Sequence, residues 1–325
     1  MTLSRRTVLA ALAASPFMPR SAFAAYPDRP IRLIVPFAAG GNADLVGRLV
    51  AEGMAPSLNG QSVVVENRAG AGGSLGAGQV ASAPPDGYTL LVGSNGPLTV
   101  NPFVQAKLSY DPLKDFVAVG LANLAPHTLV LHESIPAKTV AELVELSKKQ
   151  PLTIATSGAG SAGHMTLIRF MAATGANITH VPYRGGNTLV PDMLAGTVSG
   201  GMTELSTALP HYKAGKIRIV AVASAQRPVL APDVPTMIES GVKDFLAASY
   251  VGVVAPAKTP SDVIAVLEKA LIKALAEKPL QNKFLATGAE LVPEPLQTAK
   301  GFGDYIKKEY ENTKQAALSA GLKPE

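Results

Sequence analysis

The chain has 325 residues, of which 47% are hydrophobic and 16% charged, a composition that predicts a globular protein of about two domains. The absence of cysteine excludes disulfides, thiolate catalysis, cysteine metal sites and a lipid-anchored cysteine. The formal charge of +5 falls to +2 when Arg5, Arg6 and Arg20 are removed with a predicted leader, and no basic run is interleaved with aromatic residues, which argues against nucleic-acid binding.

An export signal is predicted at residues 1–24. Arg5 and Arg6 precede an apolar run from Val8 to Ala14, and Ala22-Phe23-Ala24 is typical of a cleavage site. The run is too short for a membrane-spanning helix, which needs about 20 residues. The arginine pair fits both the twin-arginine and the general secretory route. We therefore expect a periplasmic protein that begins near Ala25.

The first predicted unit is a strand, a glycine-rich turn and a helix. Ile31–Val35 is almost entirely apolar, as in a buried strand, and it leads into the first glycine turn, Phe37–Asp44. Apolar residues at i,i+4 spacing predict the helix that follows. Four more strands are predicted in this half, at Ser62–Glu66, Tyr88–Gly93, Phe116–Leu121 and His127–Leu131.

The same unit recurs at the middle of the chain. An apolar run with Leu152 and Ile154 leads into the second glycine turn, Ser157–His164, and a helical pattern follows. Free backbone N–H groups and the helix dipole at such a turn favour an anion. The remaining strands are predicted at Ile178–Pro182, Ile217–Ala223 and Ser249–Ala255, and the helices at Val140–Lys148, Asn187–Ala195, Val263–Leu275 and Gly301–Gly321.

Alternation of strands and helices predicts an α/β fold with parallel or mixed sheets. Proline breaks near Pro126 and in the linker 226–235 bracket about a hundred residues. They predict lobe 2 at residues 126–225, inserted in a lobe 1 made of residues 25–125 and 226–325. The two crossing segments would act as a hinge.

A redox interpretation of the second glycine turn rests on the G-x-G-x-x-G pattern of Gly158–Gly163. A dinucleotide site also needs an acidic residue after the next strand, where this chain has Pro182–Gly185. Arg184 could take a 2′-phosphate, but an exported protein meets little nicotinamide cofactor. The sequence therefore gives this interpretation little support, and no cofactor is predicted.

A serine hydrolase is the other enzymatic alternative, because Ala159–Gly163 resembles a nucleophile elbow around Ser161. His211 would be the base, with Asp192 or Glu204 as the acid. Nothing in the sequence places these residues together. The five histidines lack the spacing of a zinc site, so no metal-binding or catalytic residue is assigned.

Two glycine turns without an evident nucleophile–base pair favour non-covalent binding of a small anion between two lobes. Ser157 and Ser161 are then expected to face Asn42 and Asp44 across a cleft. Further segments support the same interpretation by resemblance. They are Pro36–Gly41, Val65–Arg68, Pro85–Leu90, Tyr110–Phe116, Ala155–His164, His180–Gly185, Ala208–His211, Gly215–Arg218 and Pro232–Thr236.

In this combination the segments resemble the Bug-type extracytoplasmic solute-binding receptors of tripartite tricarboxylate transporters. The resemblance implies a two-lobed, type II-like periplasmic binding protein that holds a small organic acid, partly through water, and delivers it to membrane permease subunits. It implies a receptor, not an enzyme, and a monomer is expected; a receptor that feeds a signalling sensor would have the same site. The ligand-binding residues are then Phe37, Gly41, Asn42, Ala43, Asp44, Ser94, Asn95, Ser157, Ser161, Gly163, His164, Tyr183, Thr203 and Glu204.

Two positions depart from the pattern of these receptors. Many relatives have an aspartate and then a small or amide residue where this chain has Thr203 and Glu204, and many have tryptophan in place of Tyr250. If Glu204 faces the cleft, we expect a ligand with an amine, amide or hydroxyl donor, because like charges in a cleft are costly. The alternative is that Glu204 pairs with a basic neighbour outside the pocket.

Overall fold

The computed structural model describes residues 26–319, 321, 322 and 324, so the predicted export signal and Ala25 lie outside the described residues. Its strands are β1 (Ile31–Val35), β2 (Val63–Asn67), β3 (Thr89–Ser94), β4 (Phe116–His132), β5 (Leu152–Thr156), β6 (Ile178–Pro182), β7 (Gly200–Glu204), β8 (Ile217–Val222) and β9 (Ala248–Pro256). Its helices are α1 (Asn42–Met54), α2 (Ser74–Ala81), α3 (Asn101–Val104), α4 (Val140–Ser147), α5 (Ala162–Thr174), α6 (Val190–Leu194), α7 (Leu205–Lys213), α8 (Ser261–Ala276), α9 (Lys278–Leu285) and α10 (Ala299–Ser319). None of these helices combines the length and apolar character needed to cross a membrane.

The strands follow one another in the order β2-β1-β3-β9-β4-β7-β5-β6, and β8 also pairs with β4. In the first half, β1 is parallel to β2 and β3, whereas β9 runs antiparallel to β3 and β4. In the second half, β5 is parallel to β6 and β7, whereas β4 runs antiparallel to β7 and β8. The sheet is therefore mixed in both halves, and β4 belongs to both.

The strand β4 replaces two strands that were predicted on either side of Pro126. It pairs with β9 from Phe116 to Pro126 and with β7 from His127 onward. Proline lacks the N–H that a ladder needs, and Pro126 lies where the partner strand changes, so the strand continues. The predicted break is wrong, but Pro126 does lie at one crossing between the halves.

Each half has its own apolar core. In the first, the buried face of α1 and that of α8 pack on β1, with Leu33, Val46 and Leu267 fully buried. In the second, β5 and α5 supply Ile154 and Phe170 to a separate cluster. Parallel β–α units bury both faces of their strands, which explains the nearly continuous apolar runs in the sequence.

The second crossing lies later than the sequence predicts. Residues of the supposed linker and beyond pack with the second core, among them Val234, Met237 and Phe245. Thr236 bridges to Val222 of β8, and β9 begins only at Ala248. We therefore propose lobe 2 at residues 126–247, where the sequence placed it at 126–225, with the rest of the described chain in lobe 1.

Two further elements differ from their predictions. The strand β7 was not predicted, because Gly-Gly-Met-Thr-Glu has no β-branched run despite its complete burial. The helix predicted at Asn187–Ala195 covers only Val190–Leu194. Residues 185–189 instead form a loop that reaches the other lobe.

Candidate functional site

A cavity of about 460 Å³, counted with its open mouth, lies between the two lobes. It is bordered by both glycine turns, the loop after β6, and the adjoining ends of β3, β7 and β9. The structure brings together nine of the predicted ligand-binding residues around it: Phe37, Gly41, Asn42, Ala43, Ser94, Asn95, Ser157, Ser161 and Glu204.

The first glycine turn is held from behind by Asp44. Gly41 caps α1 without a side-chain hydrogen bond, and Asp44, in the first helical turn, accepts a hydrogen bond from Gly40 N at 2.8 Å. Arg48 pairs with both oxygens of Asp44, and Asn67 Nδ2 donates to Asp44 Oδ1 at 2.9 Å. Burial alone would raise the pKa of Asp44, but these hydrogen bonds outweigh it and lower the pKa.

Asp44 therefore does not line the cavity, contrary to the prediction. Asp44 is 4% exposed, and its described partners lie on the first glycine turn, on α1 and on β2. Ser157 and Ser161 do lie across the cavity from Asn42, as expected, and all three residues border it. Asp44 acts on the shape of the turn instead.

Two buried polar atoms at the cavity have no hydrogen-bond partner: Asn42 Nδ2 and Ser94 Oγ. Their residues are 8% and 6% exposed. A buried donor without a partner costs about 1–3 kcal/mol, so a bound molecule that accepts a hydrogen bond from it is favoured at this place. Asn42 is the first residue of α1, whose first N–H groups have no partner within the helix, and Ser94, at the end of β3, borders the same cavity.

The second glycine turn is capped by a hydroxyl. Ser161 Oγ accepts a hydrogen bond from His164 N at 3.2 Å, and Ser161 is the N-cap of α5. The His164 ring stacks on His180 with centroids 4.0 Å apart, and His164 Nδ1 accepts from Gly160 N. His180 Nε2 bonds Thr156 Oγ1 at 2.8 Å.

Both histidines of this stack are held neutral. Burial lowers the pKa of His164. Burial, with a smaller contribution from His164, lowers the pKa of His180 to about 4. The stack therefore supports the turn from behind without bringing a charge. The prediction that His164 lines the cavity is wrong.

Three more predicted residues lie away from the cavity. Gly163 packs on β7, where a Cβ would lie 2.6 Å from Met202 O. The Tyr183 hydroxyl donates to Asp192 at 2.5 Å, and its residue borders a second opening beside the cavity. Thr203 Oγ1 donates to Glu204 Oε2 at 3.2 Å, so it orients that carboxylate from outside.

Glu204 faces the cavity, and its described partners are hydroxyls. Its oxygens accept from Ser249 Oγ at 2.6 Å and from Thr203 Oγ1 at 3.2 Å. No Lys, Arg or His of the described chain forms an ion pair with it, so the alternative of a basic partner outside the pocket is wrong for the described residues. The condition under which the sequence predicts a ligand with an amine, amide or hydroxyl donor is therefore met.

Sequence reasoning missed six residues that border the cavity: Gly96, Ala162, Gly185, Gly186, Ser249 and Val251. Gly185 and Gly186 directly follow a predicted strand, and that position is a signal that would have found them. Ser249 and Val251 were predicted only as part of a strand. They reach the cavity because β9 pairs with β3 and β4, a contact between distant parts of the chain.

The lobes touch at several places, among them the loop after β6 and the second glycine turn. At one, Asn187 Nδ2 donates to Ala39 O at 2.7 Å. At the other, the second glycine turn meets lobe 1: a Cβ on Gly72 would lie 2.7 Å from Ala159 O, and one on Gly160 would overlap Asn101 Oδ1. The described conformation is therefore closed, and Gly160 of the G-x-G-x-x-G pattern and Gly72 of lobe 1 allow this close approach.

The residues of the hydrolase alternative are not assembled. The two acid candidates are bonded elsewhere, Asp192 to Tyr183 and Glu204 to Ser249. His211 borders a neighbouring pocket with Ser206, and Ser161 does not line that pocket. Within the described part of the chain, no histidine ring is hydrogen-bonded to Ser161 Oγ.

Comparison with known proteins agrees with this geometry. Residues 46–316 match the family described as "Tripartite tricarboxylate transporter family receptor". Protein BugT of Bordetella pertussis is 36% identical over 287 residues, which cover 87% of this chain and 88% of BugT.

Solved structures show the same fold. The periplasmic binding protein BugD superposes with a TM-score of 0.86 at 33% identity, covering 92% of this chain and 100% of BugD. Rpa4515 of R. palustris, solved with adipate, superposes with a TM-score of 0.87 at 32% identity, covering 92% of this chain and 100% of Rpa4515. The two-lobed α/β fold is thus that of periplasmic binding proteins.

Proposed function

The chain belongs to the family of tripartite tricarboxylate transporter receptors, and on that premise we propose that it captures a small carboxylate-bearing solute in the cavity between its lobes. The closed receptor then delivers this solute to the membrane permease subunits of such a transporter. The adipate that occupies the R. palustris relative is a small organic acid of the expected class.

The observation that carries the proposal is the pair of unpartnered donors, Asn42 Nδ2 and Ser94 Oγ, in the cavity that the N-terminus of α1 borders. A carboxylate at this place would accept hydrogen bonds from both atoms and from the free N–H groups of the helix. The N-terminus of α5 faces the same cavity through Ser161 and Ala162. Two helix dipoles then favour the same negative charge.

The donors around the cavity are all neutral. No Lys, Arg or His belongs to the described lining of the cavity. Neutral donors bind an acid without the strong attraction of a buried ion pair, which suits a receptor that must also release its ligand. The Asn95 side chain is held by β9, because its amide nitrogen donates to Ala248 O and its oxygen accepts from Tyr250 N.

The same geometry favours a receptor over the serine hydrolase. Ser161 Oγ serves as the cap of α5, and His211 borders a different pocket. Of the acid candidates, Asp192 is bonded to Tyr183, and Glu204, which borders the same cavity as Ser161, is bonded to Ser249 and Thr203. The export signal at residues 1–24 and the monomeric state stay predictions, as does the choice between export routes. A periplasmic location follows from family membership together with that predicted signal.

Thermal-shift and calorimetric titration of mono-, di- and tricarboxylates tests the proposal. A solute at about 100 times its Kd should stabilise the protein by roughly 2.7 kcal/mol. The variant Asn42→Leu keeps the side-chain size but removes the donor, and we expect its affinity for the same acid to fall about tenfold or more. Asn312→Leu, on the exposed face of α10, is the matched control. Equal affinity in Asn42→Leu and the unmodified protein would contradict the proposed site.

A further inference from the structure

Glu204 is the only ionisable side chain among the described residues that border the cavity. It lies at the end of β7 and is 8% exposed. A carboxylate removed from water without a basic partner is costly. In a cavity built to take an acid it also opposes any second negative charge.

A chain of hydrogen bonds supports this carboxylate as an acceptor. Ser249 Oγ donates to Glu204 Oε1 at 2.6 Å, and Ser249 Oγ is also 2.9 Å from His127 Nε2. Since the hydroxyl hydrogen of Ser249 is used toward Glu204, Nε2 of His127 must carry the proton that it donates to Ser249. Thr166 Oγ1 lies 2.6 Å from His127 Nδ1, and its hydroxyl donates to Ala162 O at 2.9 Å.

Both described hydrogen bonds of Glu204 are donated to it by hydroxyl groups, so the arrangement fits an ionised carboxylate. Burial lowers the pKa of His127 to about 4, so its ring is neutral near pH 7. Glu204 receives no positive charge from His127 near neutral pH. The position is therefore an anion that the protein orients but does not neutralise.

Glu204 still has acceptor capacity toward the cavity. A carboxylate offers about four lone-pair directions, and Ser249 and Thr203 occupy two. A Cβ on Gly186 would lie 3.4 Å from Glu204 Oε2 and 3.6 Å from Ser157 Oγ. The absence of a side chain at Gly186 therefore leaves free space beside the carboxylate.

We propose that Glu204 makes the receptor selective for carboxylates that also carry a hydrogen-bond donor, a protonated amine above all and then an amide or a hydroxyl. The proposal rests on the proposed function: the acid of the solute takes the Asn42 and Ser94 donors, and its second group donates to Glu204. A protonated amine would supply the positive charge that Glu204 lacks. A simple dicarboxylate would place a second anion against it.

Matched acids of four, five and six carbons test this selectivity by calorimetric titration. Each set contains the plain monoacid, the dicarboxylate, and the acids with a 2-amino, terminal amino, terminal hydroxyl or terminal amide group. At the chain length that binds, we expect the amino acid of highest affinity to bind about tenfold or more tightly than the dicarboxylate of the same length. This ranking in the unmodified protein decides the question without any variant.

Glu204→Gln sharpens the test, because the amide keeps the shape and removes the charge. We expect it to lose most of the preference for the amino acid and to bind the dicarboxylate more tightly than the unmodified protein does. Glu290→Gln, which changes an exposed carboxyl outside this cavity, should leave the ranking unchanged. A dicarboxylate that binds as tightly as the amino acids, or a ranking that survives Glu204→Gln, overturns the inference and leaves the proposed function standing. Failure of every acid to bind overturns both.

Discussion

The two glycine turns have the same local structure but are supported in opposite ways. The first, Phe37–Asp44, begins its helix at a glycine without a side-chain cap and is held by the charged group of Asp44 and Arg48. The second, Ser157–His164, begins its helix at a hydroxyl cap and is held by two stacked neutral histidines. In both, the supporting groups lie behind the turn and leave backbone N–H groups facing the cavity.

The difference indicates that an anion site of this kind depends on the helix N-terminus. The groups that hold the turn can be either a charged pair or neutral histidines. Charged and neutral supports give the same backbone shape, but they differ in strength and in response to acid. The only charge that borders the cavity within the described residues is that of Glu204, which belongs to neither turn. Perturbing each support separately therefore tests how far the two turns are equivalent.

The largest effect is expected from Asp44→Asn. The variant leaves Arg48 and Gly40 N without their buried anionic acceptor, and hydrogen bonds to charged groups contribute about 1.5–3 kcal/mol each. We expect a loss of about 2–3 kcal/mol in the free energy of unfolding, measured with urea. Asp304→Asn, which breaks an exposed pair with Lys300, should cost less than about 0.5 kcal/mol. Equal losses in the two variants would show that Asp44 does not hold the turn.

Closure is tested by a matched pair of glycines. Gly160 (φ +73°) and Gly175 (φ +70°) are both left-handed, but only Gly160 meets the other lobe, at Asn101. Alanine at either position should cost about 1 kcal/mol of stability. Only Gly160→Ala should also weaken solute binding, by about tenfold, because it holds the lobes apart. Equal affinities in the two variants would contradict the closed contact.

Acid should loosen the second turn before the first. His180 has a pKa lowered to about 4 from an ordinary 6.5, so the unfolded chain binds more protons between these values and stability falls as pH falls through this window. Solvent reaches part of the ring, which reduces the contribution to roughly 1 kcal/mol. The lowered pKa of Asp44 keeps its contribution intact until pH falls below its ordinary range.

His180→Gln isolates this contribution, because glutamine does not titrate in that window. Urea unfolding at pH 7 and pH 4.5 should show a smaller acid-induced loss in the variant than in the unmodified protein, by roughly 1 kcal/mol. His127, which also has a pKa near 4, is present in both proteins and cancels. An identical loss of unfolding free energy in both proteins would mean that His180 does not contribute to the pH dependence of stability.

The smallest effect is expected from Ser161→Ala. Loss of the N-cap hydroxyl should cost about 0.5–1 kcal/mol of stability and weaken solute binding only modestly. Neither this variant nor the unmodified protein should hydrolyse a 4-nitrophenyl ester above the buffer rate. Ester turnover that Ser161→Ala abolishes would restore the hydrolase interpretation.

Much of the fold was predictable because it rests on local patterns. Apolar runs such as Ile31–Val35 are buried strands, and the glycines after them mark both turns. The strand β7 escaped because glycine carries no strand signal, and its burial depends on β4 and β5, which are distant in sequence. The second lobe boundary was misplaced for the same reason, since prolines in 226–235 do not reveal which core they pack against.

For the candidate site, the sequence predicts which segments border the cavity but not which side chains point into it. Sequence identified the turns that border the cavity, because a helix N-terminus after a strand is visible in the residue pattern. It could not show where side chains point: Asp44 and His164 turn away from the cavity, and Ser249 enters it from a distant strand. Those directions depend on long-range packing.

The central claim is that a solute carboxylate lies at the N-terminus of α1, between the lobes, on neutral donors. A crystal structure with the acid that gives the largest thermal shift tests it most directly. The account predicts carboxylate oxygens about 3 Å from Asn42 Nδ2 and Ser94 Oγ. An acid bound elsewhere, with both of these atoms still unpartnered, would contradict the account.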